Sequence, residues 1–443
     1  MTTHHRPATD TWRTVQRTYL VLTLLTTLAA SFIWGINTLF LLDAGLSNTE
    51  AFAANAFFTV GLLVFEVPTG VVADTRGRRF SFLLGCGTLV VATLLYLVMW
   101  QVHAPLWGWA IASILLGLGF TYFSGATEAW LVDALNVSGF TGNLESVFGR
   151  GQTVSGVAML VGTVAGGLIA QATNLGVPYV VRAVMLLLTL VIAYRFMHDL
   201  GWAPKREASI GLEVRNVVRG AVDGGFRNAP VRWVMLTAPF TFGVGIYAFY
   251  AIQPHLLNLY GDQTAYGVAG LAAAIIAGAQ IVGGLVVPWV RRLFSRRTHA
   301  LIGGTVLTVF LMLGIGLTDS FVVAVALVVI WAFAFAIEAP LRAAFVNGLI
   351  PSSQRATVLS FDGLLGSAGG VVAQPALGRI ADVSGYGTSY LVSGGLQLLA
   401  LPFAILARLE NAKSDPMTPE IPEGEVSPAP GPPDRREVPE PEA

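Results

Sequence analysis

Twelve apolar runs, each of roughly 20 residues, follow one another along this 443-residue chain. A run of that length is what an α-helix needs to cross the hydrocarbon core of a bilayer. In that medium each backbone N–H and C=O must be satisfied within its own segment, so such runs become helices. The spans are placed near 20–42, 50–72, 80–100, 106–130, 150–171, 177–197, 232–257, 265–289, 299–317, 321–347, 356–379 and 386–407. Charged residues make up 12% of the chain, against about 25% in a soluble domain. Too little polar surface remains for water to cover such a chain, and an all-α, multi-pass membrane protein is expected.

Basic residues set the expected orientation. With the N-terminus inside, Arg76, Arg78, Arg79, the Lys205–Arg232 group, Arg291, Arg292, Arg296, Arg297 and Arg355 all fall on the inner side. Arg182 and Arg379, near outer helix ends, are the exceptions. This positive-inside pattern predicts a cell-membrane protein with both termini cytoplasmic. The net charge of zero hides an acidic tail from Asn411 onward, without which the body carries about +5. The single cysteine, Cys86, excludes an intrachain disulfide and a thiolate metal site. The first apolar run is too long for a cleavable signal peptide and lacks a small-residue cleavage site.

One long connection divides six spans from six. The expected organisation is a segment 1–19, a six-helix bundle over 20–198, a linker over 199–230, a second bundle over 231–408, and a Pro/Glu-rich disordered tail over 409–443. Within the linker, Val214, Val217, Val218, Ala221 and Val222 recur at helical spacing, which predicts a short amphipathic helix at the membrane surface. The halves repeat each other. Ser124 to Ala129 (SGATEA) returns as Phe335 to Ala339 (FAIEA), and Gly156 returns as Gly366. The turn after the eighth span, from Gly284 to Arg297, reads as a degraded copy of the turn after the second, with Pro288 in place of an aspartate.

That second turn carries the most specific spacing in the chain: Gly61, Gly70, Asp74, then Gly77-Arg78-Arg79, between two apolar spans. It matches the loop between helices two and three of the major facilitator superfamily, and the chain resembles a bacterial, drug-exporter-like member. The resemblance implies two pseudo-symmetric six-helix bundles that rock around a central site. It also implies a latch between the halves, formed by the motif residues with Glu66, which shares a helix face with Gly70 and Asp74. The latch would meet the start of span eleven, near Asp362.

Ionisable groups inside spans are costly and therefore functional suspects. Glu128, Glu338 and Asp362 are the expected proton-coupling residues. Glu128 has no cation one turn away, whereas Glu338 and Arg342 stand at i, i+4 and are expected to pair. The cavity candidates are Trp34, Asn37, Thr121, Ser124, Tyr247, Tyr250, Gln253, Trp331, Phe335 and Arg342. Spans one, four, seven and ten line the cavity in the family this chain resembles. Aromatic rings with a few polar tips suit an organic solute. Span five lacks the proline, and span four the buried arginine, common in proton-coupled antiporters.

The expected function is movement of a small organic solute by alternating access, as proton-coupled efflux. The alternatives are a metabolite importer or facilitator, or a transporter-like sensor. No enzyme motif, cofactor or nucleic-acid partner is expected. The expected partners are a solute, protons and lipid, and the chain is expected to act as a monomer.

Overall fold

A capping box starts the second span. Ser47 Oγ accepts from Glu50 N at 3.3 Å, and Glu50 Oε2 accepts from Ser47 N at 2.9 Å. From there α3 runs from Asn48 to Arg76. It and the other helices below come from a computed structural model that describes residues 12–204 and 210–417.

The first span is two helices, α1 (Trp12–Trp34) and α2 (Asn37–Asp43). After α3 come α4 (Arg78–Gln101) and a broken fourth span, α5 (Leu106–Thr121) and α6 (Ala126–Val137). The fourth span breaks because Gly125 takes a left-handed φ of 66°, which only glycine adopts cheaply. The first half closes with α7 (Leu144–Ala172) and α8 (Val177–Phe196). The linker holds α9 (Ile210–Gly220), followed by a π-helical turn over Ala221–Phe226. Part of the predicted amphipathic stretch, including the Val217, Val218 and Ala221 side chains, lies outside what is described.

The second half comprises α10 (Ala229–Tyr260), α11 (Tyr266–Leu293), α12 (Arg297–Leu317), α13 (Phe321–Asn347), α14 (Ser352–Leu398) and α15 (Ala400–Leu409). Eleven helical stretches among the described residues are long and apolar enough to span. The last, Thr357–Leu409, doubles back at Gly385 (φ 82°, ψ 165°) and counts as two. Ser389 Oγ donates to Leu377 O at 3.0 Å across that hairpin. The chain is therefore an all-helical protein with about twelve crossings, as the hydropathy predicts. The side chains of 284–292 and all of 418–443 lie outside the described residues, so most side chains of the degraded motif copy and most of the tail are not seen.

Each half has its own apolar core. Phe40, Tyr96, Trp109 and Tyr179 stack in the first, and Tyr247, Met312 and Tyr390 pack in the second. Other large apolar side chains, such as Val191, Phe310 and Val372, point outward. Only lipid would cover them at low cost. The Asp74–Arg79 turn marks one end of the bundle, called the basic end below.

Candidate functional site

The two halves meet tightly at the end opposite the basic one. The break between α1 and α2 frees two backbone groups, and Gln253 on α10 satisfies both: its Nε2 donates to Trp34 O at 2.7 Å, and its Oε1 accepts from Thr38 N at 3.2 Å. Thr38 Oγ1 donates to Tyr250 O at 3.1 Å. On α14, Asp382 accepts from Asn48 N (2.8 Å), Thr49 N (2.9 Å) and Thr49 Oγ1 (2.5 Å). A carboxylate from one half thus caps a helix N-terminus of the other, where the dipole favours an anion. Tyr386 adds a hydroxyl bond to Asn48 Oδ1. Among the described residues, the hydrogen bonds that join the halves all lie toward this end.

Behind this seal is a cavity of about 430 Å³, walled by Trp34, Phe58, Phe120, Tyr250, Trp331 and Phe335 among others. A second cavity, of about 290 Å³, shares Phe242, Trp331 and Phe335 with it and continues past Glu338, Arg342 and Asp362. The first is apolar and aromatic, while the second brings charge to it. Here one expectation is corrected. Arg342 does not pair with Glu338 one turn away. Its Nε and Nη2 bind the Asp362 carboxylate two-pronged, at 2.9 and 2.5 Å, and its Nη1 donates to Thr237 Oγ1 at 2.6 Å. A planar guanidinium fits a carboxylate across a helix interface better than one along its own helix. Glu338 feels the Arg342 charge but makes no hydrogen bond or ion pair among the described residues.

The motif residues other than Gly70 have local physical reasons. Gly61 lets α3 and α5 touch backbone to backbone; a Cβ there would lie 2.6 Å from Ile114 O and 3.1 Å from Gly117 Cα. Gly77 holds φ 112°, ψ 150°, a glycine-only conformation, and leaves room for Asp199. Asp199 Oδ1 accepts from Arg79 N at 2.8 Å, capping α4 from beyond α8. Burial pushes its carboxyl above the usual range, against the opposing pull of those backbone bonds and the Arg79 and Arg78 charges. Arg78 lies 3.2 Å from Asp74 and 3.9 Å from Asp133, and Arg79 Nη2 donates to Tyr194 O at 2.6 Å. None of these described partners of Arg78 and Arg79 belongs to the second half. Gly70 faces open space. The linker helix α9 lies against both α3 and the start of α14.

The remaining candidates divide. Trp34, Tyr250, Trp331 and Phe335 face the central cavity, and Arg342 and Glu338 the second. Tyr247 is fully buried, bonded to Ser389 of its own half and packed against Phe52 of the other, and Thr121 is buried against Leu118 O. Asn37 donates to Asn55 Oδ1 at 2.8 Å and accepts from Tyr179 at 2.9 Å. Ser124 and Glu128 are exposed beside the break in the fourth span, so no continuous stripe runs along it. Ser124 Oγ donates to Glu66 Oε1 at 2.7 Å, and Glu128 lies near Tyr19. Sequence reasoning missed Asp199 and Asp382, which bond through tertiary contacts no local pattern announces. It also passed over Arg182, a guanidinium in mid-apolar sequence (VPYVVRAVMLL) treated as a helix-end charge. The structure buries it to 1% exposure.

Comparison with known proteins agrees with this architecture. The family model of the Major Facilitator Superfamily matches residues 19–373 and again 263–436. An uncharacterized MFS-type transporter of Methanocaldococcus jannaschii is 21% identical over 249 residues, 56% of this chain. The match spans 62% of that relative's length. Among solved structures, the nucleoside transporter NupG superposes with a TM-score of 0.74 at 10% identity, covering 88% of this chain and 98% of that one. A bacterial homologue of the human lysosomal transporter Spinster, inward-facing and unoccupied, gives 0.70 at 15% identity, with coverages of 92% and 99%. A D-xylose–proton symporter gives 0.63 at 15% identity, with coverages of 89% and 96%. The chain belongs to the Major Facilitator Superfamily, as a multi-pass membrane transporter and not an enzyme.

Proposed function

We propose that this transporter exports a small organic solute in exchange for protons, by alternating access, and that the basic end faces the cytoplasm. On this reading the protein sits in the cell membrane with both termini inside, works as a monomer, and is captured here open inward. The seal at the opposite end and the aromatic cavity behind it support the inward-open reading. A latch of Asp74, Arg78 and Arg79 with the start of α14 would then form only in the outward-facing state.

Charge imbalance carries the proton coupling. Arg342 is matched by Asp362, so Glu338 leaves the second cavity one negative charge in excess. A carboxylate in a poorly solvated wall needs a compensating positive charge, and a proton supplies it. Glu338 takes the leading role among the three carboxylates, with Glu128, its partner in the internal repeat, as the next. An import reading draws on the same polar group, which offers both signs of charge to a zwitterion.

The test is a proteoliposome assay with an imposed pH gradient. Glu338→Gln should abolish gradient-driven accumulation while sparing solute exchange without a gradient. Uphill transport at the wild-type rate in both Glu338→Gln and Glu128→Gln would sink proton coupling through these residues. Accumulation with the gradient reversed would establish import.

A further inference from the structure

Arg182 is a permanent cation with no anion beside it among the described residues. It lies on α8, 1% exposed, with its Nε donating to Thr93 Oγ1 at 3.1 Å and its Nη1 to Ala29 O at 3.5 Å. Its guanidinium stands 5.6 Å from the centre of the Phe120 ring. Among the described residues no carboxylate lies within ion-pair distance of it. A guanidinium does not shed its proton in a protein. Burying one without a counter-charge is among the costlier things a fold can do.

A second, independent feature points into the same place. A small void of about 20 Å³ is lined by Arg182, Asn55, Asn37, Trp34, Phe120 and Tyr250. Asn55 Nδ2 is buried and has no hydrogen-bond partner among the described residues. The cause is a relay: Tyr179 donates to Asn37, and Asn37 donates to Asn55 Oδ1, so the far end of the chain is an unused N–H donor. Buried donors left unmade are rare in native proteins. Here one sits beside an unmatched cation, around a void large enough for about one oxygen atom. The void shares Trp34, Phe58, Phe120 and Tyr250 with the 430 Å³ central cavity.

We propose that Arg182 and Asn55 form the headgroup site for an organic anion. One oxygen of a carboxylate enters the void and accepts from both residues, while the apolar body of the same solute lies among the aromatic walls of the central cavity. This names the solute class of the proposed transporter and rests on that reading only for the direction of movement. The binding site stands or falls separately.

The experiment uses the purified full chain in lipid nanodiscs, with 1-naphthoate and its neutral isostere 1-naphthamide as probes. Binding is followed by tryptophan fluorescence, since Trp34 lines both the void and the cavity. The acid should bind saturably and about tenfold or more tighter than the amide, as expected for a hydrogen bond to a charged group. Arg182→Gln should erase the preference while leaving amide binding in place, and Arg182→Lys should keep part of it. Because Arg182→Gln removes a buried group, Asn55→Asp is the second variant. It supplies an internal counter-charge, so it should fold and raise the thermal midpoint while abolishing the preference for the acid. Equal affinities for acid and amide in the wild type, or an unchanged preference in Asn55→Asp, overturn the site. So does the absence of saturable acid binding. Acid selectivity in binding without any proteoliposome flux would instead retain the site and remove the transport reading.

Discussion

Asp382 and Thr49 bind each other twice, through the backbone N–H at 2.9 Å and the hydroxyl at 2.5 Å, across the boundary between the two halves. With the Asn48 N–H at 2.8 Å, these bonds make Asp382 the main polar clasp of the sealed end. Asp382→Asn keeps the shape but removes the charge and turns one acceptor oxygen into a donor. Hydrogen bonds to charged groups contribute about 1.5–3 kcal/mol each. The substitution should shift the population toward the state open at this end by about tenfold or more. Accessibility of a cysteine placed at Phe52, which is buried against Tyr247 of the other half, reports it, and unchanged labelling would show that the clasp does not hold the seal.

The pair Arg342–Asp362 sets a thermal-stability test. Both side chains are 14% exposed. Removing one partner leaves an uncompensated charge, which costs about 3–5 kcal/mol. Arg342→Gln should lower the unfolding midpoint clearly, and Arg342→Gln with Asp362→Asn should recover most of the loss. The equivalent pairing of Arg342→Gln with Glu338→Gln should recover less, because Asp362 would still be unmatched. Equal rescue by both double variants would place the Arg342 charge midway between the two acids.

Gly77→Ala forces a Cβ into a backbone conformation that only glycine tolerates, next to the Asp199 carboxylate. A strained residue of this kind costs about 1–3 kcal/mol. Lower yield of folded protein in detergent and a reduced melting temperature are expected. Gly70→Ala, which meets open space, should leave both unchanged. Matching behaviour of the two variants would mean that the Gly77 turn relaxes freely.

Asp199 gives the pH dependence a sign. Its folded-state carboxyl is raised, chiefly by burial. A raised acid binds its proton more tightly in the native state, so the contribution is fully present below the unfolded value, about 3.9. It is lost as pH rises through the folded value. The stability of wild type relative to Asp199→Asn should therefore be greater at pH 4 than at pH 7. Thermal melts of both proteins across that range measure it; a constant difference would mean that the α4 cap cancels burial, and a larger wild-type advantage at pH 7 that the cap outweighs it.

Much of this was legible in the sequence, for a definite reason. Lipid removes water as a partner for the backbone, so span number and helical class follow from apolar run length alone. The Gly61–Arg79 spacing is equally local, because its glycines answer to one helix contact and one turn. Partner choice was not legible. Arg342 has Glu338 one turn away in sequence and Asp362 in space, and only the packing of α13 beside α14 decides between them. The breaks at Gly35 and Gly125 were also unseen, since glycine is common throughout these spans. Arg182 was visible as a letter but not as a problem, because its burial depends on Ala29, Thr93 and Phe120 from distant segments.

The broken first span has a consequence for how the sealed end opens. Trp34 O and Thr38 N are backbone groups, and among the described residues Gln253 from the other half satisfies them both. When the halves part, both lose their partner at once, inside a wall where each orphaned group costs several kcal/mol unless water reaches it. Parting and wetting must therefore be a single event. The rate at which this end opens should follow the ease of hydration, slowing in osmolytes that draw water away, even though no side chain of the first span changes its chemistry.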